Sequence, residues 1–361
     1  MRGSLKHALI FLKKKIVKMH SNVFGWPKNK IKIEKPEIIY KKKIYYLGKF
    51  FRRNINIILN IENYQIEKKW YLNKKTQNLT AGKFLEYRFL KILLCKVPLR
   101  ILFTILFLKK KKKIILKENE IILFGPFSWN YAHQIHEFLV RIAYLNSSNF
   151  NIIYLPHYLK KIILSKIYKK IFFKKKFKFY NANRTIKFIN ARYISHIENR
   201  CLNFFFKKTL SFLNKSKRKL RDNIEKKEYL FISRKNSKQR MLLNEDLLFY
   251  ELSKLGFKKI SFEKISVDNQ IKLSAKCKIM IGYHGAGLSN CVYMNKNSLL
   301  IEICNKFYPH PHFELFCKIL NIKHKRFFCR ENYKNLDGIC NVDEIINYVK
   351  FIKNKSLNEN L

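Results

Sequence analysis

The fold is decided by the stretch Ile279-Met-Ile-Gly-Tyr-His-Gly-Ala-Gly-Leu-Ser-Asn-Cys-Val-Tyr-Met-Asn-Lys-Asn-Ser-Leu-Leu-Ile-Glu-Ile303. An apolar strand breaks at Gly282, the turn 284–287 follows, and a short helix is predicted from Leu288. A second apolar strand, 299–303, carries Glu302. Glycines let a backbone approach a ligand closely, and a helix N-terminus offers unpaired N–H groups to phosphate. This order of elements therefore predicts half of a nucleotide-binding unit.

The residues before this stretch alternate between apolar strands and amphipathic helices. Asn244 is predicted to cap one helix and Gly256 to end it. The alternation predicts a parallel sheet with helices on its faces. Arg234, the turn 284–287 and Glu302 follow or end strands, so we expect them to meet at one crevice. The predicted elements are strands 229–233, 257–261 and 277–282 and helices 245–255 and 267–275.

The first half of the chain contains a second alternating region from residue 118. Its helix, 130–145, has Ile135, Leu139 and Ile142 on one face. His133 and Glu137 lie four residues apart on one face of this helix, and His136 is expected to lie off that face. The surrounding predictions are strands 120–124 and 151–155, helix 158–171 and a strand-rich stretch 178–194, followed by a helix and linker at 202–228. We predict a basic N-terminal extension at 1–117, a Rossmann-like domain at 118–227 and a second at 228–361.

The charge balance of the chain admits two interpretations. The 361 residues include 76 Lys and Arg against 24 Asp and Glu, a formal charge of +52. The joint abundance of Lys, Ile, Asn, Phe and Tyr is typical of codon bias in an AT-rich genome, and no nucleic-acid-binding module accompanies the charge. So positive a surface still favours anionic membranes and phosphorylated substrates. Nucleic acid is therefore not an expected partner.

One long apolar region, 84–108, bears on membrane association. Lys91, Lys96, Pro98 and Arg100 interrupt it, so it does not predict a spanning helix. A segment lying along a membrane interface and a buried helix both fit it. No secretory signal is recognisable, because the apolar run 8–12 is too short.

The eight cysteines include no C-x-x-C pair, and several lie inside apolar runs. This usage predicts buried free thiols in a reducing compartment, with neither a disulfide framework nor a zinc site.

Four blocks of residues occur in a characteristic order. They are the block at 130–141, Tyr229-Leu-Phe-Ile-Ser-Arg234, Arg240-Met-Leu-Leu-Asn-Glu245 with Gln270, and Gly282-Tyr-His-Gly-Ala-Gly-Leu-Ser-Asn290 with Leu300-Ile-Glu302. Together they resemble the consensus of glycosyltransferase family 61, whose members are described as capsular polysaccharide biosynthesis proteins. The first block resembles the motif Asn-Tyr-x-His-Trp-x-x-Glu-x-Leu-Pro-Arg, but Gln134 stands in place of Trp and Val140 in place of Pro. The resemblance covers about residues 118–330.

The resemblance implies an α/β protein of GT-B type, with two Rossmann-like domains whose parallel sheets face a central cleft. It also implies an inverting transferase that uses a nucleotide sugar, expected here to be UDP-linked. Relatives in bacteria build lipopolysaccharide or capsule, and eukaryotic relatives transfer xylose, arabinose or N-acetylglucosamine. We therefore expect a glycan or lipid-linked glycan acceptor and a cytoplasmic enzyme at the inner face of the membrane.

The candidate donor site follows from the charge that the leaving diphosphate acquires. No Asp-x-Asp motif is present, so we expect no metal and no cofactor. Arg234, Arg240 and the turn Gly285-Ala286-Gly287 are predicted to bind the diphosphate. Glu302 is expected to accept hydrogen bonds from ribose hydroxyls, with a structural ion pair as the alternative. Asn290 is expected to stabilise the turn.

The general base has two candidate positions. His133 and Glu137 would form a base and its orienting partner on the acceptor side. His284 is the rival base, or else a donor to the diphosphate.

Two other functions remain open from sequence. A nucleotide-sugar epimerase would use the same fold without transferring the sugar. A non-catalytic polysaccharide-binding or membrane-associated scaffold would leave nucleotide sugar unconsumed.

Overall fold

A computed structural model describes residues 38–47, 57–60, 65–66, 112–124, 128–184, 186–194, 228–237, 239–306, 312–331 and 336–358. The chain forms two compact units. The N-terminal unit holds the described residues up to 194, and the C-terminal unit holds those from 228 onward. The segment 84–108 and the predicted helix and linker at 202–227 lie outside the described residues.

The sheet of the N-terminal unit is mixed. Its strand order is β3-β2-β1-β8-β5-β6-β7, with β4 beside β8. Strands β4 to β8 run parallel to one another, as the alternating pattern predicts, whereas β1 is antiparallel to both β8 and β2, and β2 is antiparallel to β3. The strands are β1 (Ile38–Leu47), β2 (Ile57–Asn60), β3 (Gln65–Ile66), β4 (Lys113–Ile115), β5 (Glu120–Ile122), β6 (Ile152–Pro156), β7 (Lys176–Tyr180) and β8 (Ile186–Ile194).

The antiparallel part was not predicted. Strand β1 pairs with β8 from Ile38↔Ile194 to Tyr46↔Ile186, so residues of the expected N-terminal extension complete this sheet. The predicted parallel sheet is therefore present in the N-terminal unit, extended by an antiparallel part that was not predicted. The domain boundary at 117/118 stays a prediction, but the sheet includes strands on both sides of it.

The helix predicted at 130–145 forms, with an irregular middle. We call it α1; it consists of an α-helical turn at Tyr131–His133, a π-helical segment at Gln134–Leu139 and a further α-helix at Val140–Leu145. Asn130 caps it by accepting a hydrogen bond from the backbone N–H of Ala132 at 2.9 Å. The three predicted core residues of this helix are buried.

The helix predicted at 158–171 is interrupted. A 3-10 turn at His157–Leu159 leads into α2 (Lys160–Ile163), and α3 (Lys166–Ile171) follows. Ser165 starts α3, because its hydroxyl accepts from the backbone N–H of Tyr168 and so offers the chain a cap in place of a continuous helix.

The C-terminal unit is a parallel sheet of order β10-β9-β11-β12-β13, with the antiparallel β14 at its edge. Helices α4 (Glu245–Lys254), α5 (Val267–Lys276), α6 (His312–Leu320) and α7 (Val342–Asn358) accompany it. Ile281, Ile301 and Phe327 on adjacent strands contribute to one buried core. The strands are β9 (Glu228–Ile232), β10 (Phe257–Ile260), β11 (Cys277–Tyr283), β12 (Leu299–Asn305), β13 (Lys323–Glu331) and β14 (Gly338–Ile339).

One predicted cap is wrong. Asn244 precedes α4 but makes no side-chain capping bond. Its amide instead exchanges hydrogen bonds with the backbone of Cys340, at 2.9 Å to the carbonyl oxygen and 3.1 Å from the N–H. Gly256 does end this helix region, with a φ of +80° that favours glycine.

The strand order places a topological switch point between β9 and β11. The chain leaves β9 toward β10 on one side and later returns to form β11 on the other. Ligands of open α/β sheets bind at such a point, at the carboxyl ends of the strands. Ile232 pairs with Gly282, so Ser233 and Arg234 leave the sheet beside Tyr283 and His284.

Within the described residues, no helix is both long and apolar enough to cross a membrane. The six described cysteines are all free and buried, as their position in apolar runs predicts.

Candidate functional site

The guanidinium of Arg234 packs on the backbone of Gly285. A Cβ atom added at Gly285 would overlap Arg234 Nη1, so only glycine fits this position without moving the arginine. Arg234 Nε donates to the carbonyl of Arg240 and Nη2 to the carbonyl of Gln239, both at 3.1 Å. The expected meeting of Arg234 with the 284–287 turn is therefore present.

The charge of Arg234 is held by carbonyl groups. Among the described residues, no carboxylate lies within ion-pair distance of it. Burial, and then the charge of Arg240, lower the pKa of Arg234 to about 10, so it remains protonated at neutral pH. A fixed cation without an acidic partner at a switch point is suited to bind an anion.

Arg240 contributes its backbone more directly than its side chain. Its φ of +57° lies in the left-handed region, where a non-glycine residue is strained. Its carbonyl accepts from Arg234 Nε.

A buried glutamate that sequence reasoning did not single out fixes the start of this loop. Glu245, in the first turn of α4, accepts from the Ser233 hydroxyl at 2.5 Å and from the Arg234 backbone N–H at 2.9 Å. Lys259 Nζ lies 3.1 Å from the same carboxylate. An acidic residue in the first turn of a helix is commonly explained by its favourable interaction with the helix dipole. Its hydrogen bonds to residues 233–234 therefore left no signal in the sequence.

The remaining glycines of the stretch face an apolar residue. A Cβ at Gly287 would lie 3.0 Å from Ile232 Cγ2, and one at Gly282 would lie 3.1 Å from Ile232 and Leu288. Packing against β9 thus accounts for both of them. Asn290 donates to the Gly287 carbonyl at 3.0 Å, as expected for a residue that stabilises the turn. Ala286 begins the 3-10 helix Ala286–Tyr293 that follows Gly285.

His284 forms a buried pair with Glu302. Its Nδ1 lies 2.5 Å from Glu302 Oε1, and its backbone N–H donates to the Ile303 carbonyl at 2.7 Å. The edge-to-face ring of Phe313, at 5.2 Å between centroids, packs against the imidazole. His284 is 7% exposed.

Glu302 does not end its strand, as was expected from the apolar run 299–303, because β12 continues to Asn305. The carboxylate is 0% exposed. Its Oε2 accepts from His324 Nε2 and from Arg326 Nε, each at 2.9 Å. A carboxylate so enclosed has no surface for ribose hydroxyls, and the alternative of a structural ion pair describes it.

The electrostatics of this pair determine the tautomer of His284. Burial alone would raise the pKa of Glu302, but hydrogen bonds from His284 and His324 and the charge of Arg326 lower it below its usual range. Burial lowers the pKa of His284; Glu302 opposes this shift, and Arg240 and Arg326 add to it. An ionised Glu302 requires a proton on Nδ1, so neutral His284 has Nε2 as its unprotonated nitrogen.

His133 and Glu137 form a second pair in the N-terminal unit. His133 Nδ1 lies 2.5 Å from Glu137 Oε1, as predicted from their spacing. His133 is more accessible than His284, because 33% of its side chain is exposed against 9% for His284. The side chain of its partner Glu137 is 14% exposed. An accessible imidazole oriented by a carboxylate can take a proton from a hydroxyl group.

Two buried basic residues flank this pair in α1. His136 is buried, and burial followed by the charge of His133 lowers its pKa to about 3. Arg141 is 0% exposed. Its Nε donates to the Glu137 carbonyl at 2.8 Å, and its guanidinium lies 4.8 Å from the Phe138 ring centroid. Nη1 and Nη2 of Arg141 have no hydrogen-bond partner.

Gln134 also differs from the expected Trp in a way that the structure explains. Its amide donates to the carbonyls of Ser128 and Tyr158, at 2.8 and 3.2 Å. It therefore joins the start of α1 to the carboxyl end of β6.

Within the described ranges, no cluster of three or more His, Cys, Asp or Glu residues is arranged to hold a metal ion.

Comparison with known protein families shows which family resembles this part of the chain. The family model of Glycosyltransferase 61 matches residues 131–301. Over these residues the chain is similar to glycosyltransferase family 61. The family 61 region thus begins at the first residue of α1, includes the His133 and Glu137 pair, and extends through Arg234 and the His284 turn into β12.

Three curated relatives are similar to parts of this chain. An EGF domain-specific O-linked N-acetylglucosamine transferase of Drosophila melanogaster is 32% identical over 78 residues, 21% of this chain and 15% of that protein. A beta-1,2-xylosyltransferase of Arabidopsis thaliana is 28% identical over 109 residues, 26% of this chain and 20% of that protein. An alpha-1,3-arabinosyltransferase of Oryza sativa subsp. japonica is 34% identical over 73 residues, 19% of this chain and 12% of that protein. The matches thus span a fifth or less of each relative.

Proposed function

We propose that this protein is a glycosyltransferase that moves a sugar from a nucleotide-diphosphate sugar to a hydroxyl group of a glycan. The observation that carries the proposal is the Arg234 guanidinium, fixed by two carbonyls and packed on Gly285 beside His284. Similarity to family 61 and the sugar-transferring relatives support the reaction type.

The leaving group explains why a fixed cation is useful. Negative charge grows on the diphosphate as the glycosidic bond breaks, so a preorganised cation lowers the barrier more than it stabilises the ground state. Arg234, with Arg240 close by, would supply this charge without a metal ion. The donor would be UDP-linked, and its diphosphate would lie at the switch point of the C-terminal sheet.

The general base would be His133, with Glu137 as its orienting partner. His133 is the more exposed imidazole of the two pairs. His284 is less suited to gain a proton from a hydroxyl, because burial, together with the charges of Arg240 and Arg326, lowers its pKa against the opposing effect of Glu302. His284 would instead line the donor site next to the diphosphate. If this base activates the acceptor hydroxyl for direct attack from the face opposite the leaving group, the transfer inverts the configuration of the sugar.

The acceptor would be a surface polysaccharide or lipopolysaccharide intermediate, free or linked to lipid. The formal charge of +52 supports an anionic or lipid-linked acceptor at the cytoplasmic face of a membrane, because such a surface is attracted to anionic head groups. The three relatives are named for the transfer of three different sugars, so the sugar that this protein transfers has to be identified by experiment.

The test is release of nucleoside diphosphate from a panel of nucleotide sugars by the full-length protein, together with thermal stabilisation by UDP. We expect one donor to be consumed when a glycan acceptor is present, and UDP to raise the melting temperature. Arg234→Met should abolish both effects. Arg184→Met is the matched control, because Arg184 is an exposed arginine of the other unit.

Consumption of no nucleotide sugar across the panel, with no stabilisation by any nucleotide, would refute the proposal. Full activity in Arg234→Met would refute the assignment of the diphosphate site alone. Interconversion of donors without any transferred sugar would identify an epimerase.

A further inference from the structure

Strand β13 contributes two side chains to the buried pair described above. Leu300 pairs with His324 and Glu302 with Arg326 in the parallel ladder between β12 and β13. Alternate residues of a strand share a face, so His324 and Arg326 both lie on the side of β13 that meets Glu302. Their contacts to Glu302 Oε2 are both 2.9 Å.

These residues lie beyond the end of the family 61 match at residue 301. The two oxygens of the Glu302 carboxylate have different partners. Oε1 accepts from His284, and Oε2 accepts from His324 and Arg326. Removing a donor from a fully buried carboxylate leaves an acceptor unsatisfied and frees the group to turn. The orientation of the imidazole ring therefore depends on β13.

We propose that His324 and Arg326 are positioning residues, which hold Glu302 so that it keeps the proton of His284 on Nδ1 and presents Nε2 at the donor site. The role of Nε2 rests on the proposed function, whereas the tautomer and pKa of His284 do not. The residues act through Glu302 and need not touch substrate.

Arg326 has a second, electrostatic effect on His284. The charged and titratable groups that face the imidazole are Glu302 from β12, Arg326 from β13 and Arg240 from the loop after β9; Phe313 from α6 is apolar. Arg326 and His284 contact the same carboxylate, and the nearby positive charge of Arg326 adds to the lowering of the pKa of His284 that burial causes. Loss of this cation should therefore raise the pKa of His284.

The experiment is a pH titration of isotopically labelled imidazoles in the full-length protein by NMR, with the His284 signal assigned from its absence in His284→Asn. Arg326→Met should raise the pKa of His284 by about one unit, because a neighbouring positive charge is lost. Arg326→Lys should keep it within about 0.3 unit of the wild type, because the charge remains. Glu314→Gln is the control: Glu314 is exposed and meets Arg326 Nη1 only at 3.7 Å, so His284 should titrate unchanged.

His324 is tested by a pair of variants. His324→Leu removes a donor to Glu302 Oε2, and His324→Gln restores one. We expect the leucine variant to lose roughly tenfold in kcat for the proposed transfer and the glutamine variant to recover most of it, with KM for the donor little changed.

An unchanged His284 pKa in folded Arg326→Met, or equal loss in both His324 variants, would overturn the proposal in favour of a purely structural ion pair. If Arg326→Met does not fold, Arg326→Gln removes the charge while keeping a donor, and the same shift is expected. A shifted pKa in a protein that transfers no sugar would leave the positioning role intact and refute the proposed function alone.

Discussion

The close contact between Gly285 and Arg234 predicts that Gly285→Ala damages function far more than stability. Gly285 has an extended backbone with φ of 176°, which alanine adopts without strain. The added Cβ would overlap Arg234 Nη1, and the flexible guanidinium must move away. The anion site is then lost while the turn itself remains.

The magnitudes follow from the contacts. Moving the guanidinium breaks two hydrogen bonds to carbonyls, each worth about 1 kcal/mol, while the lower entropy of unfolded alanine returns about 0.5 kcal/mol. We therefore expect a stability loss of about 1 to 2 kcal/mol. Loss of a preorganised cation at the leaving group costs about 3 kcal/mol in the transition state, or roughly 100-fold in kcat/KM.

The assay combines urea unfolding with the kinetics of nucleoside diphosphate release. Two other glycines serve as controls. Gly256→Ala forces alanine into a φ of +80° and should cost about 1 kcal/mol of stability with no change in kcat/KM. Gly287→Ala presses on Ile232 Cγ2 at 3.0 Å and should act on stability more than on activity.

A double-mutant cycle gives the sharpest form of the test. If Gly285→Ala acts only through Arg234, it should have little further effect on kcat/KM in an Arg234→Met background. Wild-type kinetics for Gly285→Ala, or full additivity of the two changes, would refute the reasoning.

The remaining predictions concern the metal, the acceptor side and pH. Chelation should leave the proposed transfer intact; activity abolished by chelator and restored by manganese would refute the metal-free mechanism. His133→Ala should lower kcat by about 100-fold with little change in donor KM, and Glu137→Gln by roughly tenfold; equal rates in all three proteins would exclude this pair as the base. Arg141→Met should leave the free energy of unfolding unchanged or raise it by about 1 to 3 kcal/mol in urea titrations, because it removes a buried charge with two unpaired nitrogens; a large loss would mean that the charge is compensated. The folded pKa of His136, about 3, lies below its ordinary value of 6.5, so the unfolded chain binds the proton first and stability falls as pH drops from 6.5 toward 3. His136→Leu should flatten this dependence in unfolding curves measured across that range, and an unchanged slope would contradict the shift.

Features that depend on residues close together in the chain, or on the parallel topology, could be predicted from the sequence. Gly256 breaks the apolar periodicity where the α4 region ends, and Gly282 breaks it one residue before the end of β11. His133 and Glu137 meet as their spacing requires, because one helix positions both. The approach of Arg234 to Gly285 could be inferred from parallel topology, which brings the carboxyl ends of neighbouring strands together.

Features that depend on distant residues were missed or misplaced. The Asn244 amide is satisfied by Cys340, which no local rule for helix caps anticipates. His324 and Arg326 alternate with lysines in a chain with 76 basic residues, so their burial against Glu302 follows only from the register of β12 and β13. The antiparallel pairing of β1 with β8 joins residues about 150 apart, and hydrophobic periodicity carries no information on such partners.

The π-helical segment Gln134–Leu139 has a consequence for how related chains are aligned. A π turn accommodates one residue more than an α turn over the same length, so it is equivalent to a single-residue insertion absorbed inside a helix. Deleting one residue there would restore regular α geometry and leave the turn before it in nearly its present orientation relative to Val140–Leu145, because the extra residue is absorbed within the segment. His133 would then keep its present direction. A gap of one residue at this point in an alignment is therefore compatible with a histidine in the same orientation in related chains.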